Sequence, residues 1–231
     1  MRHASVDYFP RHGAPADAQA VALSEAGCAQ ADAAGRFFAE HGVRFDRVVA
    51  SDLPRTVQTA ERVLAGCAAP GQRPPIEQWP ELRELRSGTL EAGLDAERDA
   101  KRLRAAFLAP FEGEPAREVR FRGGESVGEL LDRVVPALER LVADARWRIA
   151  LLVLHGGVNR VVLSYALTGA RTLLANFQQA PACINAIDVA ADRARWLVRF
   201  VNHAPYDPAQ ADARDSTMET LLSTYLQTRE R

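Results

Sequence analysis

The sequence predicts an α/β protein, a three-layer sandwich with a central, mostly parallel sheet flanked by helices. Three observations carry this. Short apolar runs alternate with longer segments of helical periodicity. The run "RIALLVLHGG" is continuously apolar, as in a strand covered on both faces, and ends in a glycine pair. Polar clusters follow two of the runs directly, at 51–55 and 155–157, and ligands in such sheets sit beyond the carboxyl ends of the strands.

In chain order, "SEAGCAQADAAGRFFAEH" (24–41) reads as a helix, with Ser24 as N-cap and Gly42 as C-cap after His41. "FDRVVAS" (45–51) reads as a buried strand. "DLPRTVQTAERVLAG" follows as a helix, with Asp52 near its start, Pro54 in its first turn and Gly66 at its end. A Pro- and Gly-rich loop spans 67–75. "IEQWPELRELRSGTLEAG" begins with weak strand character and becomes irregular. Residues 95–108 read as a charged helix, and a long loop precedes Ser126. From Ser126 to Ala143 an amphipathic helix is expected, kinked at Pro136. After "RIALLVLHGG" comes the helix "VNRVVLSYALTG". The strands "CINAIDVA" and "WLVRFVNH" close the sheet. From Thr217, Met218, Leu221, Leu222, Tyr225 and Leu226 form a helical apolar stripe, read as core packing ahead of a homodimer contact.

The 231 residues suit a single domain, 1–231, with a substrate-facing insertion at about 86–124 and a C-terminal helix at about 215–228. Net charge is −1, which gives no reason to expect nucleic acid or a membrane surface as partner. Three scattered cysteines and no CxxC argue against a disulfide framework or zinc site and for a reducing compartment. With no membrane-length apolar run and no signal peptide, the expected location is cytoplasmic.

Five histidines occur, at positions 3, 12, 41, 155 and 203. Two follow arginines: Arg2-His3 and Arg11-His12. With "SDLPRTVQTA" (51–60), "LRELRSG" (82–88) and "LHGGVNR" (154–160), the Arg-His pair resembles the histidine phosphatase superfamily, which includes the phosphoglycerate mutases. "LSEAGCAQA" (23–31) and "GGES" (123–126) also fit. The resemblance implies a metal-independent phosphatase acting on a small phosphomonoester through a phosphohistidine, with no cofactor. It makes His3 the nucleophile, Arg2, Arg55 and His155 the phosphate ligands, and Glu84 the acid/base that protonates the leaving oxygen and then helps activate water. These residue types suit phosphoryl transfer, which needs donors around dispersed negative charge and an in-line nucleophile. A neutral imidazole is such a nucleophile, and planar guanidinium forks fit the equatorial oxygens.

The second pair, Arg11-His12, carries the literal "RHG". It sits in "PRHGAP", which reads as a turn, with Pro10 where a central strand needs an amide donor. The interval from His3 to Leu23 also suits the superfamily better than that from His12. Arg2-His3 is therefore chosen, with His12 as the alternative. Only Met1 precedes Arg2, so an upstream truncation that removed the first strand is expected. His41 reads as a helix-terminal residue and His203 as structural. Arg160 reads as covering a helix surface, while Arg120 and Arg122 lie on a loop able to reach a second anionic group. Two rivals stand beside hydrolysis: phosphoglycerate mutase-type transfer to a bound acceptor, and a non-catalytic phosphate-binding protein.

Overall fold

The computed structural model describes residues 1–8, 17–90, 98–144, 146–190, 195–210 and 216–229. Arg11 and His12 lie outside them, as do residues 95–97 of the expected charged helix. The elements are α1 (Glu25–Glu40), β1 (Arg47–Ala50), α2 (Pro54–Cys67), β2 (Ile76–Gln78), α3 (Ala100–Leu108), α4 (Val127–Ala143), β3 (Ala150–Val153), α5 (Gly156–Thr168), β4 (Ile184–Val189), β5 (Trp196–His203) and α6 (Thr217–Arg229).

The order β2-β1-β3 makes a parallel sheet. Side chains alternate across it. Val48, Ala50, Leu151 and Val153 pack with Ala31, Ala34, Phe38, Val63 and Leu64 of α1 and α2. Val49 points the other way and packs with Leu130, Val134, Leu138, Val158 and Val161 of α4 and α5. These two apolar faces give the expected three layers. β4 and β5 pair antiparallel as a separate two-stranded unit, whereas the sequence reading placed both in one sheet with the others. Apolar periodicity fixes which face is buried but not strand direction.

Met1, Arg2 and His3 tie the two sheets together. Beside β3, Met1 O accepts from Leu154 N at 2.9 Å and His3 N donates to Leu154 O at 2.8 Å; on the other side, Arg2 N donates to Cys183 O at 3.0 Å. The tripeptide thus runs in parallel register with Leu154, in the place where a strand was expected before the nucleophile.

Local sequence accounts for the helix ends. Ser24 caps α1 by accepting from Gly27 N, and Ser126 and Glu129 form a reciprocal capping box on α4. His41 is the C-cap of α1, with Gly42 following in a left-handed conformation. α4 runs continuously through Pro136. Gly66 lies inside α2 rather than ending it. A Cβ there would come within 2.9 Å of the Gly35 Cα, so the pair lets α1 and α2 cross backbone to backbone.

Candidate active site

The site lies at the carboxyl ends of β1 and β3, where the polar post-strand residues were expected. Leu154 ends β3's run and His155 is the N-cap of α5. His3 ends the N-terminal tripeptide on the neighbouring track. Their rings meet edge to face with centroids 5.2 Å apart. Both are buried.

His3 Nδ1 lies 2.7 Å from Ala4 O. A carbonyl only accepts, so Nδ1 carries the hydrogen and Nε2 keeps its lone pair. Burial pushes the His3 pKa well below the ordinary histidine value, and Arg55 and Arg2 push it further. The ring is therefore neutral near pH 7. Thr59 Oγ1, on α2, accepts from Ala4 N at 3.1 Å, and Ser24 N and Oγ both donate to Ser5 O. The backbone leaving His3 is thus held by both α1 and α2.

His155 Nε2 is 2.8 Å from Ser51 Oγ, which in turn contacts Thr56 Oγ1 at 2.9 Å. Burial is again the main cause of its lowered pKa, followed by His3, Arg55, Arg2 and Arg133. Its Nδ1 is buried and has no partner among the described residues.

Arg55 is in the first turn of α2 and only 3% exposed. One terminal nitrogen donates to Ala18 O at 2.6 Å. Arg2 donates through Nη1 to Gln179 O and to Thr217 Oγ1, the latter at 2.7 Å. The Nε atoms of both arginines are buried without a partner among the described residues. Three orphaned nitrogens on Arg2, Arg55 and His155 therefore surround His3. Such donors are costly to bury unless something accepts from them.

Glu84 sits against the start of α5. Its carboxylate accepts from Gly157 N at 3.0 and 3.2 Å and from Leu85 N at 2.9 Å. Residue 157 must be glycine for this contact, because a Cβ there would stand 2.5 Å from Glu84 Oε1. A point one Cβ above Gly156 is within 3.3–3.8 Å of Arg160 Nη1, Glu84 Oε2 and Arg2 Nε, so the carboxylate and both arginines meet over the helix N-terminus.

Arg160 was expected on the surface and is not. It is 8% exposed, and its Nε donates to Ala175 O at 2.8 Å. Burial, then Arg2, push its pKa down to about 10, while Glu84 pulls the other way. Asn159-Arg160 in an otherwise apolar helix was the only signal for it. Arg120 and Arg122 do not reach the site. Arg120 bonds Gly124 O and Glu129, and the Arg122 guanidinium lies over Phe107 and Tyr225 at 4.9 and 5.6 Å. His203 stacks with Phe37 and Phe200, and His41 bonds Phe37 O at the far end of α1, as their structural readings require.

A cleft of about 350 Å³ opens over Arg2 and His3, walled by residues 5–8, Pro181 and one face of α6. Tyr8 is among its lining residues, and burial pushes its phenol pKa up. Among the described residues no three His, Cys, Asp or Glu gather as a metal site. No helix among them is long and apolar enough to cross a membrane.

A sequence model of the histidine phosphatase superfamily (branch 1) matches residues 1–203. The chain belongs to that superfamily. A metal-independent phosphoserine phosphatase of Arabidopsis thaliana is 33% identical over 143 residues, 61% of this chain and 56% of that protein. The human 6-phosphofructo-2-kinase/fructose-2,6-bisphosphatase 3 is 29% identical over 63% of this chain, a stretch that is 25% of its own length. The matched region is thus about half of the first relative and a quarter of the second. Among solved structures, a mycobacterial glucosyl-3-phosphoglycerate phosphatase aligns with TM-score 0.63 and 28% identity over 87% of this chain and 95% of the other. The α-ribazole phosphatase of Shigella flexneri shares the fold, with TM-score 0.64 at 22% identity over 87% of this chain and 94% of that one. Against this superfamily background the Arg2-His3 pair, Arg55, Glu84 and His155 converge on one end of the sheet.

Proposed function

We propose that this chain is a metal-independent phosphatase that hydrolyses a small phosphomonoester through a phosphohistidine on His3. The observation that carries the reading is the set of buried nitrogens on Arg2, Arg55 and His155, unpartnered among the described residues, beside an imidazole whose Nδ1 bonds Ala4 O and whose Nε2 keeps its lone pair. A phosphoryl group supplies the acceptors these donors lack, and prearranged donors stabilise the charge that spreads over its oxygens during transfer. The superfamily membership and the phosphatases among its relatives support the same reading.

In the first step the His3 Nε2 lone pair forms the N–P bond as the P–O bond to the alcohol breaks. Glu84, as the acid, gives its proton to the departing oxygen. In the second step Glu84, now a carboxylate, takes a proton from water as the water oxygen bonds to phosphorus and the N–P bond breaks. Phosphate leaves and Glu84 is again protonated. With the Ser51 hydrogen directed at His155 Nε2, Nδ1 is the ring's donor to a phosphoryl oxygen.

The test is to trap the enzyme during turnover of a ³²P-labelled phosphomonoester and map the label. The expected label is stable in alkali, lost in acid, located on His3 and absent from His3→Ala, which also stops phosphate release. Label on His12 would move the nucleophile to the second Arg-His pair. Release of label only into a bound alcohol would make the protein a mutase. Phosphate affinity without turnover of any phosphomonoester would make it a binding protein.

A further inference from the structure

The apolar stripe of the C-terminal segment does not all do one job. Met218, Leu222, Tyr225 and Leu226 of α6 pack against Leu103, Phe107 and Leu108 of α3, and Arg122 covers the rings of Phe107 and Tyr225. Thr217, Thr220, Leu221 and Thr224 fall at positions i, i+3, i+4 and i+7. That spacing places them on one helix face, and all four line the cleft over Arg2 and His3. One face anchors the helix and the other walls the site.

We propose that the threonine face of α6 is the subsite for the alcohol part of the substrate, and that this alcohol is polyhydroxylated: a sugar or polyol phosphomonoester. The proposal rests on the phosphatase reading above and names its leaving group.

Place is the first argument. Arg2, only 7% exposed and with an unpartnered Nε, lines the cleft and donates through Nη1 to Thr217 Oγ1 at 2.7 Å. The helix therefore starts at the phosphate site and leads away from it along the path of the ester. Hydrogen-bonding capacity is the second. Thr220 Oγ1 donates to Ser216 O at 3.2 Å and Thr224 Oγ1 to Thr220 O at 2.9 Å. Their single hydrogens are committed, so each oxygen offers only acceptor lone pairs beside a methyl group. Across the cleft, Asp7 adds a further acceptor. Acceptors interleaved with methyls complement the O–H donors and C–H faces of a sugar, while an acidic residue in the wall works against a leaving group that carries its own carboxylate or second phosphate. Size is the third: about 350 Å³ is within the range of small-ligand pockets, roughly 300–1,000 Å³.

The experiment compares kcat/KM for a size-matched pair, a hexose monophosphate and cyclohexyl phosphate, with 3-phosphoglycerate as the anionic competitor and p-nitrophenyl phosphate as control for the chemical step. The hexose monophosphate should be favoured roughly tenfold over both competitors, and Thr220→Val with Thr224→Val should cut its advantage over cyclohexyl phosphate by about tenfold. Asp7→Asn should narrow its advantage over 3-phosphoglycerate. A preference for cyclohexyl phosphate or 3-phosphoglycerate, or a hexose preference unchanged by the valines, overturns the subsite. No turnover of p-nitrophenyl phosphate would instead overturn the phosphatase reading. The same pair would then be titrated calorimetrically: tighter hexose monophosphate binding, lost with the valines, sustains the subsite, and equal binding of the pair overturns it.

Discussion

Two buried arginine clusters lie at the same end of this molecule and are built in opposite ways. Arg133 of α4 uses all five of its N–H groups. Nε and Nη2 fork onto Glu125 at 2.7 and 2.8 Å, Nη1 donates to the carbonyls of Glu81 and Arg83, and Nη2 also donates to the carbonyl of Glu84. Glu125 accepts from Arg86 N as well. Burial pushes the Glu125 pKa up, but the hydrogen bonds and charges of Arg133 and Arg86 together outweigh it and hold the carboxyl below its usual range. In the other cluster, Arg2, Arg55 and His155 each keep a buried nitrogen without a partner among the described residues. The contrast separates scaffold from site. Arg133 pins the segment that carries Glu84, and its satisfied bonds stabilise the fold. The orphaned donors cost stability, and under the proposed function a phosphoryl group supplies the acceptors they lack.

The largest expected effect breaks the comparison from the site side. Arg55→Ala should lower kcat/KM by about 10³-fold while leaving the melting temperature of the ligand-free protein unchanged or slightly raised. The rise in melting temperature that saturating inorganic phosphate gives the wild type should disappear. A variant that unfolds, or one that keeps the phosphate-induced rise, contradicts the assignment of Arg55 as an anion ligand.

Glu84→Gln comes next. Loss of the proton donor should cost about 10²–10³-fold with an alkyl phosphate and under about tenfold with p-nitrophenyl phosphate, whose leaving group departs without a proton. Equal losses on both esters would mean that Glu84 only positions. Gly157→Ala is the sharper version. Its new methyl would press on Glu84 Oε1, and it should show the same leaving-group dependence at smaller amplitude.

Arg133→Gln tests the scaffold. It removes the fork from Glu125, whose side chain is 0% exposed, leaving it the amide and guanidinium of Arg86, and should cost about 3 kcal/mol, read as a fall in melting temperature of about 6–12 °C. Turnover should fall only as far as the Glu84 segment loosens. A variant as stable as the wild type would remove the distinction between the clusters.

The sequence exposed the two kinds of cluster unequally. Arg55 and His155 were legible because they follow strands directly, where an α/β sheet presents ligands, and their motifs occur in superfamily order. Glu84 was legible from motif order alone. Arg133 was not, because beside Asp132 on an amphipathic helix it has the pattern of a solvated charge, and only the return of residues 81–86 over α4 buries it. Thr217 was read only as the start of a helical stripe, since nothing local tells that α6 comes back over Arg2. The three layers could be read from apolar alternation. The antiparallel pairing of β4 and β5 could not, since period-2 burial is the same for either strand direction.

Acid titration separates the clusters most finely, because their groups lose stability in different windows. His3 and His155 have folded pKa values pushed below the ordinary value, which is about 6.5 in an unfolded chain. Below that pH the unfolded chain binds two protons that the folded chain refuses. Stability therefore falls as pH drops through 6.5, by up to about 1.4 kcal/mol per pH unit for each ring, until the folded pKa values are reached. Glu125 is shifted the other way relative to its charge. Its contribution is intact above the unfolded carboxyl pKa of about 4.3 and is lost only as pH falls from there through the lower folded value. Urea unfolding should thus show a slope that the buried Met1 ammonium, pushed down to about 6 by burial, shares above pH 6. Between pH 6 and 5 the slope should come from the two rings, be halved in His155→Gln and be unaffected by Glu125→Gln, with the scaffold's loss appearing only below about pH 4.3. A flat profile from pH 6 to 5 would mean that both rings take up their protons in the fold as readily as in the unfolded chain, and a protonated His3 lacks the free lone pair on which the proposed chemistry depends.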